Sequence, residues 1–359
     1  MAKQNDSAHA TPAAQGYRMP AEWEPHDATW LGWPHEVTDW PGKIPAIRWV
    51  YAEMIRKLAP GERIRLCVNS RADEKLARYA IEAAGGAVEQ VDFLPFPTNR
   101  GWMRDSGPIY VKHAKTGAKQ IIHWHFNAWA RYRNWRKDRT IPELAARRFD
   151  LSLVHARSGS HDVILEGGGI EVNGRGTLLT TEECYLDPKT QVRNPSLSKD
   201  EFERALQDYL GVRHILWLGH GVVGDDTHGH IDDLCRFVNA TTVVAIREKN
   251  PKDINYRPLE ENWERLAGMR LEDGAKLQAL ELPMPAPLFF EGARLPASYA
   301  NFYIGNAAVI VPTFNDPNDR VALGILADLF PGRAVVGIHA VDLVLGYGTL
   351  HCLTQQEPR

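Results

Sequence analysis

Helix-like and strand-like hydrophobic patterns alternate along the chain. In several segments apolar residues recur at three- and four-residue steps, which predicts amphipathic helices, and short apolar runs bounded by Gly or Pro predict strands between them. Helices are predicted over residues 47–58, 72–84, 198–211, 258–267 and 321–330. Strands are predicted over residues 64–68, 88–93, 214–218 and 334–338, with hairpins over 170–180 and 237–246.

Polar segments follow these helix–strand pairs at a regular spacing. One residue with a reactive or hydrogen-bonding side chain marks each successive segment: Asp105, Glu166, His230, Asn301 and Cys352. The spacing of these marker residues corresponds to roughly one unit per 60–70 residues. Similar units at regular intervals are typical of repeat architectures. If five units close into a ring, their polar segments converge on its axis. An open α/β sheet is the alternative, and the spacing alone favours neither.

The composition is that of an ordinary globular protein. The chain has 359 residues, 44% of them hydrophobic and 24% charged, and a formal net charge of −3. This balance provides no electrostatic basis for binding nucleic acid or an anionic membrane, so neither is expected as a partner. Residues 1–16 are polar and Ala-rich and lack the apolar core of a signal peptide. They are predicted to form a disordered tail before a single catalytic domain over residues 17–359.

The cysteines are scattered. No two of them form a CxxC pair, which excludes a zinc ribbon or a dithiol redox motif. Four separate thiols in a chain of this length are typical of a reduced, cytoplasmic protein. Cys67 and Cys235 lie in apolar strand patterns and are expected in the core. Cys184 follows two glutamates, whose charge disfavours a thiolate.

Cys352 is the candidate nucleophile. It follows Gly346 and Gly348, which allow the backbone to approach a ligand closely. A buried core thiol is the plainer interpretation, because most free cysteines are of that kind. A nucleophilic thiol needs a base. The adjacent His351 is not expected to be that base, because successive side chains of a strand point to opposite faces.

The most concentrated polar stretch of the chain is residues 225–233, Asp-Asp-Thr-His-Gly-His-Ile-Asp-Asp. On a strand, His228, His230 and Asp232 would share one face, and a histidine from this stretch is the expected partner of the thiol. A solvated loop is one alternative. A metal site is another, because the spacing of these three residues and Asp233 resembles that of metal ligands.

Two further acids precede turns. Asp105 lies in an Asp-Ser-Gly-Pro run, which is favourable turn chemistry, so it is either a turn cap paired with Arg104 or an acid of the site. Glu166 precedes three glycines at the end of an apolar strand, where it can satisfy backbone amides or orient a histidine. The triple glycine lacks the spacing of a nucleotide-binding loop.

Together these motifs resemble the agmatine deiminase family, within the guanidine-modifying superfamily that also contains bacterial peptidyl-arginine deiminase. The resemblance covers almost the whole chain, and the ordered series is specific although each piece alone is weak. The matching residues are 23–26 (WEPH), 102–108 (WMRDSGP), 126–129 (FNAW), 166–168 (EGG), 177–184 (TLLTTEEC), 193–195 (RNP), 229–232 (GHID), 301–303 (NFY) and 351–356 (HCLTQQ).

The resemblance implies an α/β fold, a five-bladed α/β propeller of pseudo-symmetric ββαβ repeats (pentein), which agrees with the repeat. It implies a small-molecule guanidino substrate, no metal and no cofactor. The catalytic residues implied are the nucleophile Cys352, the acid/base His230, the guanidinium-binding Asp105 and Asp232, and Glu166, which holds the histidine. The implied substrate-binding residues are Trp102, Arg104, Asp226, His228, Asn301 and Gly348.

Two stretches depart from the family pattern. Residues 226–228 are Asp-Thr-His where Glu-Thr-Asn is common, and residues 346–352 are GYGTLHC where GGGNIHC is common. Both are expected near the amine end of the substrate, so the chemistry is better determined than the substrate. The expected reaction converts agmatine to N-carbamoylputrescine and ammonia through a covalent thiouronium on Cys352. Free arginine, peptidyl-arginine or another guanidino compound are alternative substrates.

Free arginine would need a cation for its carboxylate. Arg104 is a candidate, but its occurrence throughout the family argues against that role. Outside this class, the alternatives are a His/Asp metallohydrolase and a non-catalytic binding module. The oligomeric state is left open, with a homo-oligomer as one option.

Overall fold

Five sheets with the same connectivity organise the protein in a computed structural model that describes residues 10–359. In each sheet an antiparallel strand pair is followed by a helix and by a further strand parallel to the second. We call the sheets blades 1 to 5. The predicted fold class, α/β with five repeated ββαβ units, is confirmed.

The blades follow the chain in order, except that the last strand completes the first blade. The strands of blade 1 are Gln355–Pro358, His26–Gly32, Arg63–Cys67 and Val91–Leu94, with helices Ile44–Leu58 and Arg71–Ala83. The strands of blade 2 are Tyr17–Arg18, Ile109–His113, Lys119–His123 and Ser152–His155, with helix Ile141–Phe149. The strands of blade 3 are Glu171–Val172, Thr177–Thr181 and His214–Leu218, with helices Glu182–Leu186 and Lys199–Leu210.

The last two blades have the same plan. The strands of blade 4 are Cys235–Asn239, Thr242–Arg247 and Gln278–Pro283, with helix Tyr256–Gly268. The strands of blade 5 are Tyr303–Ile304, Ala308–Thr313 and Ala334–His339, with helix Asn318–Leu329. Two small ladders lie outside the blades and pair Arg157–Ser158 with His161–Asp162 and Phe289–Phe290 with Ala293–Arg294.

Short helical segments from different blades meet at the centre. The segment Met103–Ser106 contacts both Leu350–Leu353 and Gly167–Gly169, and the last of these contacts Ile231–Asp233. Two of these segments contain the marker residues Asp105 and Cys352, and the markers Glu166 and His230 directly precede the other two. Their meeting is the convergence that a closed ring of repeats predicts and that an open sheet would not produce.

The middle strands of the blades are covered on both faces. In blade 5, Val309, Ile310 and Val311 are all fully buried, and helix Asn318–Leu329 covers the sheet. Continuous apolar runs are typical of such strands. The closing strand of blade 1 lies antiparallel to His26–Gly32, so the C-terminus is held beside the first blade.

Most predicted boundaries agree with the structure to within a few residues. Ser198 and Glu201 form the capping box expected of their spacing, and Gly211 ends that helix with a φ of 69°. The strand predicted over residues 88–93 is wrong at its start, because Val88–Gln90 is a 3-10 turn. Pro258 lies inside the first turn of its helix and not at its first residue; proline is tolerated there because the N–H groups of that turn have no helical acceptor.

The predicted tail, residues 1–16, lies partly outside the described residues. Residues 1–9 lie outside the described residues, but the chain forms a turn from Thr11, and the backbone N–H of Ala13 donates to Asp208. Within residues 10–359, no helix is both long enough and apolar enough to cross a membrane.

Candidate active site

Cys352 lies at the centre, in the short helix Leu350–Leu353, and is 5% exposed. Its Sγ is 3.1 Å from the side-chain amide nitrogen of Asn301 and 3.6 Å from Oδ2 of Asp232. The strand geometry expected for this segment is therefore wrong. A helical turn was not indicated by the sequence because the segment is too short to show a hydrophobic period.

His230 faces three carboxylates. Its Nδ1 is 3.8 Å from Oδ1 of Asp105 and 4.0 Å from Oδ1 of Asp232, and its Nε2 is 3.5 Å from Oε2 of Glu166. The ring is 1% exposed, and neither nitrogen has a hydrogen-bond partner among the described residues. The structure thus brings together all five residues predicted to be catalytic, since Asp232 contacts both His230 and Cys352.

Gly168 makes this close arrangement possible. A Cβ at this position would lie 2.5 Å from Nδ1 of His230, 2.9 Å from Oδ1 of Asp105 and 3.0 Å from Oδ2 of Asp232. Any side chain would therefore displace the histidine or the acids. The backbone N–H of Gly168 also donates to Oδ1 of Asp105 at 2.9 Å.

Asp105 is oriented by Trp129. The indole N–H donates to Oδ2 of Asp105 at 2.9 Å. Residues 128–130 all have positive φ, between 52° and 59°, and this left-handed turn is costly for residues with a side chain. Trp129 belongs to the FNAW motif, but its spacing in the sequence does not indicate a contact with Asp105.

Arg193 binds Glu166, because its Nε donates a hydrogen bond to Oε1 of Glu166 at 3.2 Å. Burial opposes ionisation of Glu166, but the Arg193 guanidinium and His230 outweigh it and lower its pKa below the usual range. The thiol of Cys184 also lies within 4.8 Å of Glu166 and His230. Cys184 was judged only by its glutamate neighbours in sequence, which do not reveal this contact.

A network of buried polar and charged side chains lies next to the Cys352 thiol. His351 is 2.7 Å from Oδ2 of Asp232 through Nδ1 and 2.7 Å from Oε2 of Glu22 through Nε2. Both ring nitrogens face a carboxylate, but burial and the nearby Arg104 and Arg236 guanidinium groups lower the pKa of His351. Glu22 also accepts from Arg104 at 3.1 Å and from Arg236 at 2.9 Å.

This network corrects two expectations. Arg104 was predicted to contact substrate, yet its guanidinium is bound by Glu22, Gln356 and the His351 carbonyl and does not line the cavity. His351 was expected to face away from the thiol's partners, but it contacts Asp232, since a helical turn does not alternate as a strand does. Glu22 was missed, because its partners lie far away in sequence.

Asn301 organises the backbone around the thiol. Its Oδ1 accepts from the Thr349 hydroxyl at 2.7 Å and from the backbone N–H of His351 at 3.1 Å. Its amide donates to Oδ1 of Asp233 at 3.0 Å as well as to Cys352. Asn301 was predicted to contact substrate, and the structure places it directly against the nucleophile.

A narrow cavity leads to Cys352. Trp102, Asp226 and Gly348 line it, as predicted for substrate contacts. A Cβ on Gly348 would lie 3.1 Å from Sγ of Cys352, so glycine keeps the approach to the sulfur open. The remaining lining residues are Arg100, Asp105, Trp129, Tyr132, Thr227, Gly346 and Tyr347.

Acids also surround the outer part of the cavity. Asp226 accepts from the Tyr132 hydroxyl, and Asp39 accepts from the Trp102 indole at 3.0 Å and from Arg100. Burial raises the pKa of Asp226 to about 6 and that of Asp39 to about 7. A cationic ligand would favour the ionised form of both.

The pKa values at the centre reflect crowded negative charge. Burial, with Asp232 and Glu166 nearby, raises the pKa of Asp105 to about 6. Burial opposes protonation of His230, but Asp105 and the contacts with Cys184 and Glu166 raise its pKa well above the usual range. Burial, then Asp232 and Asp233, raises the pKa of the Cys352 thiol well above its usual value.

The structure does not assemble the predicted metal ligands. His228 has a φ of 66°, and its Nε2 lies 2.8 Å from Oδ2 of Asp187, away from His230 and the two acids that follow it. His228 also does not line the cavity, so its predicted substrate contact is wrong as well. The expectation failed because residues 225–233 form turns and a 3-10 segment, not a strand.

Comparison with known proteins points to one group of enzymes. A family model described as Porphyromonas-type peptidyl-arginine deiminase matches residues 18–358. An agmatine deiminase of Pseudomonas aeruginosa (strain LESB58) is 35% identical over 376 residues, covering 97% of each chain. The solved agmatine deiminase of Enterococcus faecalis has a TM-score of 0.89 at 31% identity and 98% coverage of both chains. The substrate-bound agmatine deiminase of C. jejuni has a TM-score of 0.84 at 30% identity and 96% coverage of both.

Proposed function

Since this chain belongs to the Porphyromonas-type peptidyl-arginine deiminase family, we propose that it hydrolyses agmatine to N-carbamoylputrescine and ammonia. The observation that carries the proposal is the convergence of a thiol, an imidazole and several carboxylates at the end of one narrow, acidic cavity. Similarity to agmatine deiminases over nearly the full length supports agmatine as the substrate.

Unpaired polar atoms at the centre match a guanidinium ion. Oε2 of Glu166 and Oδ1 of Asp232 are buried without a hydrogen-bond partner among the described residues. Leaving such groups unsatisfied costs about 1–3 kcal/mol each. A planar cation with paired N–H donors meets carboxylates in charge-assisted hydrogen bonds, so binding of the substrate would recover this cost. In this role Asp105 and Asp232 hold the guanidinium plane.

The substrate's charge helps to ionise the nucleophile. In the free protein the carboxylates near Cys352 keep its pKa high, so the sulfur is a thiol. A bound guanidinium compensates these negative charges and favours the thiolate. His230, which lies between Asp105, Asp232 and Glu166, can exchange the protons that the reaction moves.

The steps balance without any further reagent. As the guanidinium binds, the Cys352 thiol loses its proton to solvent, and the thiolate forms a bond to the central guanidinium carbon, giving a tetrahedral adduct. The C–N bond then breaks, and His230 donates a proton to the departing ammonia, which leaves a thiouronium on the sulfur. Water, deprotonated by His230, adds to the same carbon; cleavage of the C–S bond then releases the ureido product, and the remaining O–H proton returns to the sulfur to restore the thiol. Such proton transfers typically contribute about 10²–10⁴ in rate.

The outer cavity favours an amine over a carboxylate. Among the described residues that line it, Arg100 is the one basic residue, and it is paired with Asp39 and stacked 3.7 Å from the Tyr132 ring centroid. Asp226 would face the primary amine of agmatine. The carboxylate of free arginine would meet these acids without a free cation, so arginine should be the poorer substrate.

The test is ammonia release from agmatine, arginine and an arginyl peptide, measured side by side. Wild-type protein should turn over agmatine fastest, and Cys352→Ala should abolish turnover. Cys67→Ala, at a buried core thiol, serves as the matched control and should stay active. Denaturation during turnover should reveal a covalent adduct by mass spectrometry in the wild type. Turnover that persists in Cys352→Ala would refute the covalent mechanism.

We also propose a cytoplasmic location, with no nucleic-acid or membrane partner. The four cysteines are unpaired thiols in the structure, which suits a reducing compartment. Whether the chain forms a homo-oligomer is decided by light scattering of the purified protein. Fractionation of cells that express the protein would test the location.

A further inference from the structure

Two histidines and a glutamate meet on blade 2, away from the catalytic cavity. His123 ends the second strand and His155 ends the parallel third strand, and the two are register partners. Register partners on parallel strands project to the same face, and here the ring centroids are 4.8 Å apart. Glu143, in the first turn of helix Ile141–Phe149, completes the group. None of the three lines the catalytic cavity.

His123 holds an unused lone pair. The residue is 7% exposed, and its Nε2 lies 3.1 Å from the backbone carbonyl of Arg139. A carbonyl only accepts, so Nε2 carries the proton and Nδ1 of the neutral ring is an acceptor. Nδ1 is buried without a hydrogen-bond partner among the described residues.

A second acceptor lies close to that lone pair. Oε1 of Glu143 lies 3.6 Å from Nδ1 of His123. A carboxylate and an imidazole lone pair at this distance repel each other unless a cation lies between them. The donor atoms of His123, Glu143 and His155 all lie within 4.8 Å of one another.

The geometry points to a divalent transition-metal site, and we propose that His123 Nδ1, Glu143 and His155 bind Zn²⁺, with water at the open position. Imidazole and carboxylate are ligands that Zn²⁺ prefers, at about 2.0–2.2 Å from the metal. The Nε2–H bond of His123 to a backbone carbonyl is the kind of contact that orients metal-bound histidines. His155 is exposed and Glu143 is partly exposed, so both can close on the ion.

The neighbouring arginines have other partners. Arg157 is paired with Asp162 at 2.9 Å, and the guanidinium of Arg139 lies 5.3 Å from the ring centroid of Trp135. His125 and Asp162 also line the small cavity into which the three ligands open. The cavity thus contains one further histidine and one further acid in addition to its two arginines.

Calorimetric titration of chelator-treated full-length protein with ZnCl₂ tests the proposal. The titration is performed in a Cys184→Ala, Cys352→Ala background, because two further groups can take up zinc: Glu166, Cys184 and His230, and Asp232, Asp233 and Cys352. One equivalent should bind, and Co²⁺ should give a visible absorption band typical of a tetrahedral site. His155→Ala and Glu143→Gln should each weaken binding by more than about tenfold.

His339→Ala is the matched control, because His339 also ends the parallel third strand of its blade and is exposed. The His339→Ala variant should bind zinc as tightly as the protein in which it is made. In the wild-type background, His155→Ala should retain ammonia release from agmatine, which separates this site from the catalytic one. Absence of saturable binding, or binding that both ligand variants leave unchanged, would overturn the proposal. Absence of saturable binding would mean that His123 is instead protonated at Nδ1 and paired with Glu143.

Discussion

The side-chain amide of Asn301 donates to Sγ of Cys352 at 3.1 Å, although the two residues belong to different repeats. The carbonyl oxygen of the same amide accepts from the backbone N–H of His351, so one side chain holds both the sulfur and the helix that carries it. A polar residue in this position keeps the thiol aimed at the cavity before any substrate is bound.

Asn301→Ala should therefore misplace the nucleophile. We expect kcat for ammonia release to fall by about 10²-fold, the cost of displacing a reacting group by about 1 Å. The unpaired buried partners should also lower the free energy of unfolding by about 1–3 kcal/mol. Asn262→Ala is the control, because this buried asparagine also bonds two backbone groups, of Gly219 and His220, outside the site. Asn262→Ala should lower the free energy of unfolding by a similar amount, while the folded protein keeps its kcat. If both variants lost kcat equally, Asn301 would not be a positioning residue.

Activity should fall in mild acid. Asp105 and Asp226 both have pKa values raised to about 6, so each is largely ionised at pH 7.5 and largely protonated at pH 5. Loss of the negative charge weakens binding of a cation, and kcat/KM for agmatine should drop about tenfold for each acid between these values. Circular dichroism across the range separates titration from unfolding. A profile that is flat from pH 7.5 to pH 5 would contradict the assignment.

Asp226→Asn should change the substrate preference. The variant keeps the size of the side chain and removes the charge that would face the substrate's amine. We expect kcat/KM for agmatine to fall about 10- to 100-fold, with a smaller change for a guanidino compound without an amine, because the loss of one ionic hydrogen bond costs about 1.5–3 kcal/mol. Asp187→Asn, at the partly buried partner of His228, is the control and should have little effect. Equal losses for both substrates would place Asp226 outside the amine subsite.

Tyr347→Gly should widen the cavity. Tyr347 lines it with a φ of 64°, a left-handed conformation that costs a residue with a side chain about 1–2 kcal/mol. Glycine adopts this conformation freely and removes the ring, so turnover of an arginyl peptide relative to agmatine should rise several-fold. Asn315→Gly, at another left-handed residue outside the cavity, relieves the same kind of strain and should leave the ratio unchanged. An unchanged ratio in Tyr347→Gly would mean that the ring does not limit access.

The repeat and its elements could be predicted from the sequence because they depend on local patterns. Hydrophobic period, capping residues and turn residues act within a few positions, so the helix over 199–210 and the strand over 214–218 agreed with the structure. The marker residues lie close together in the structure, since equivalent positions in a closed ring of repeats meet at its centre.

Directions of side chains in short polar segments could not be predicted. His228, His351 and Arg104 were misassigned because their segments are single turns, too short for a period to indicate which face a residue occupies. Glu22, Arg193 and Trp129 were missed because each acts through a partner in another part of the chain.

By itself, the sequence determined which residue types recur, at what spacing and on which elements, and through its motifs the family. Only the tertiary structure decided which of these groups touch, since contact across blades depends on the packing of the whole ring. The same reason explains why His123, Glu143 and His155 carry no recognisable motif in the sequence, yet lie together on one face of blade 2.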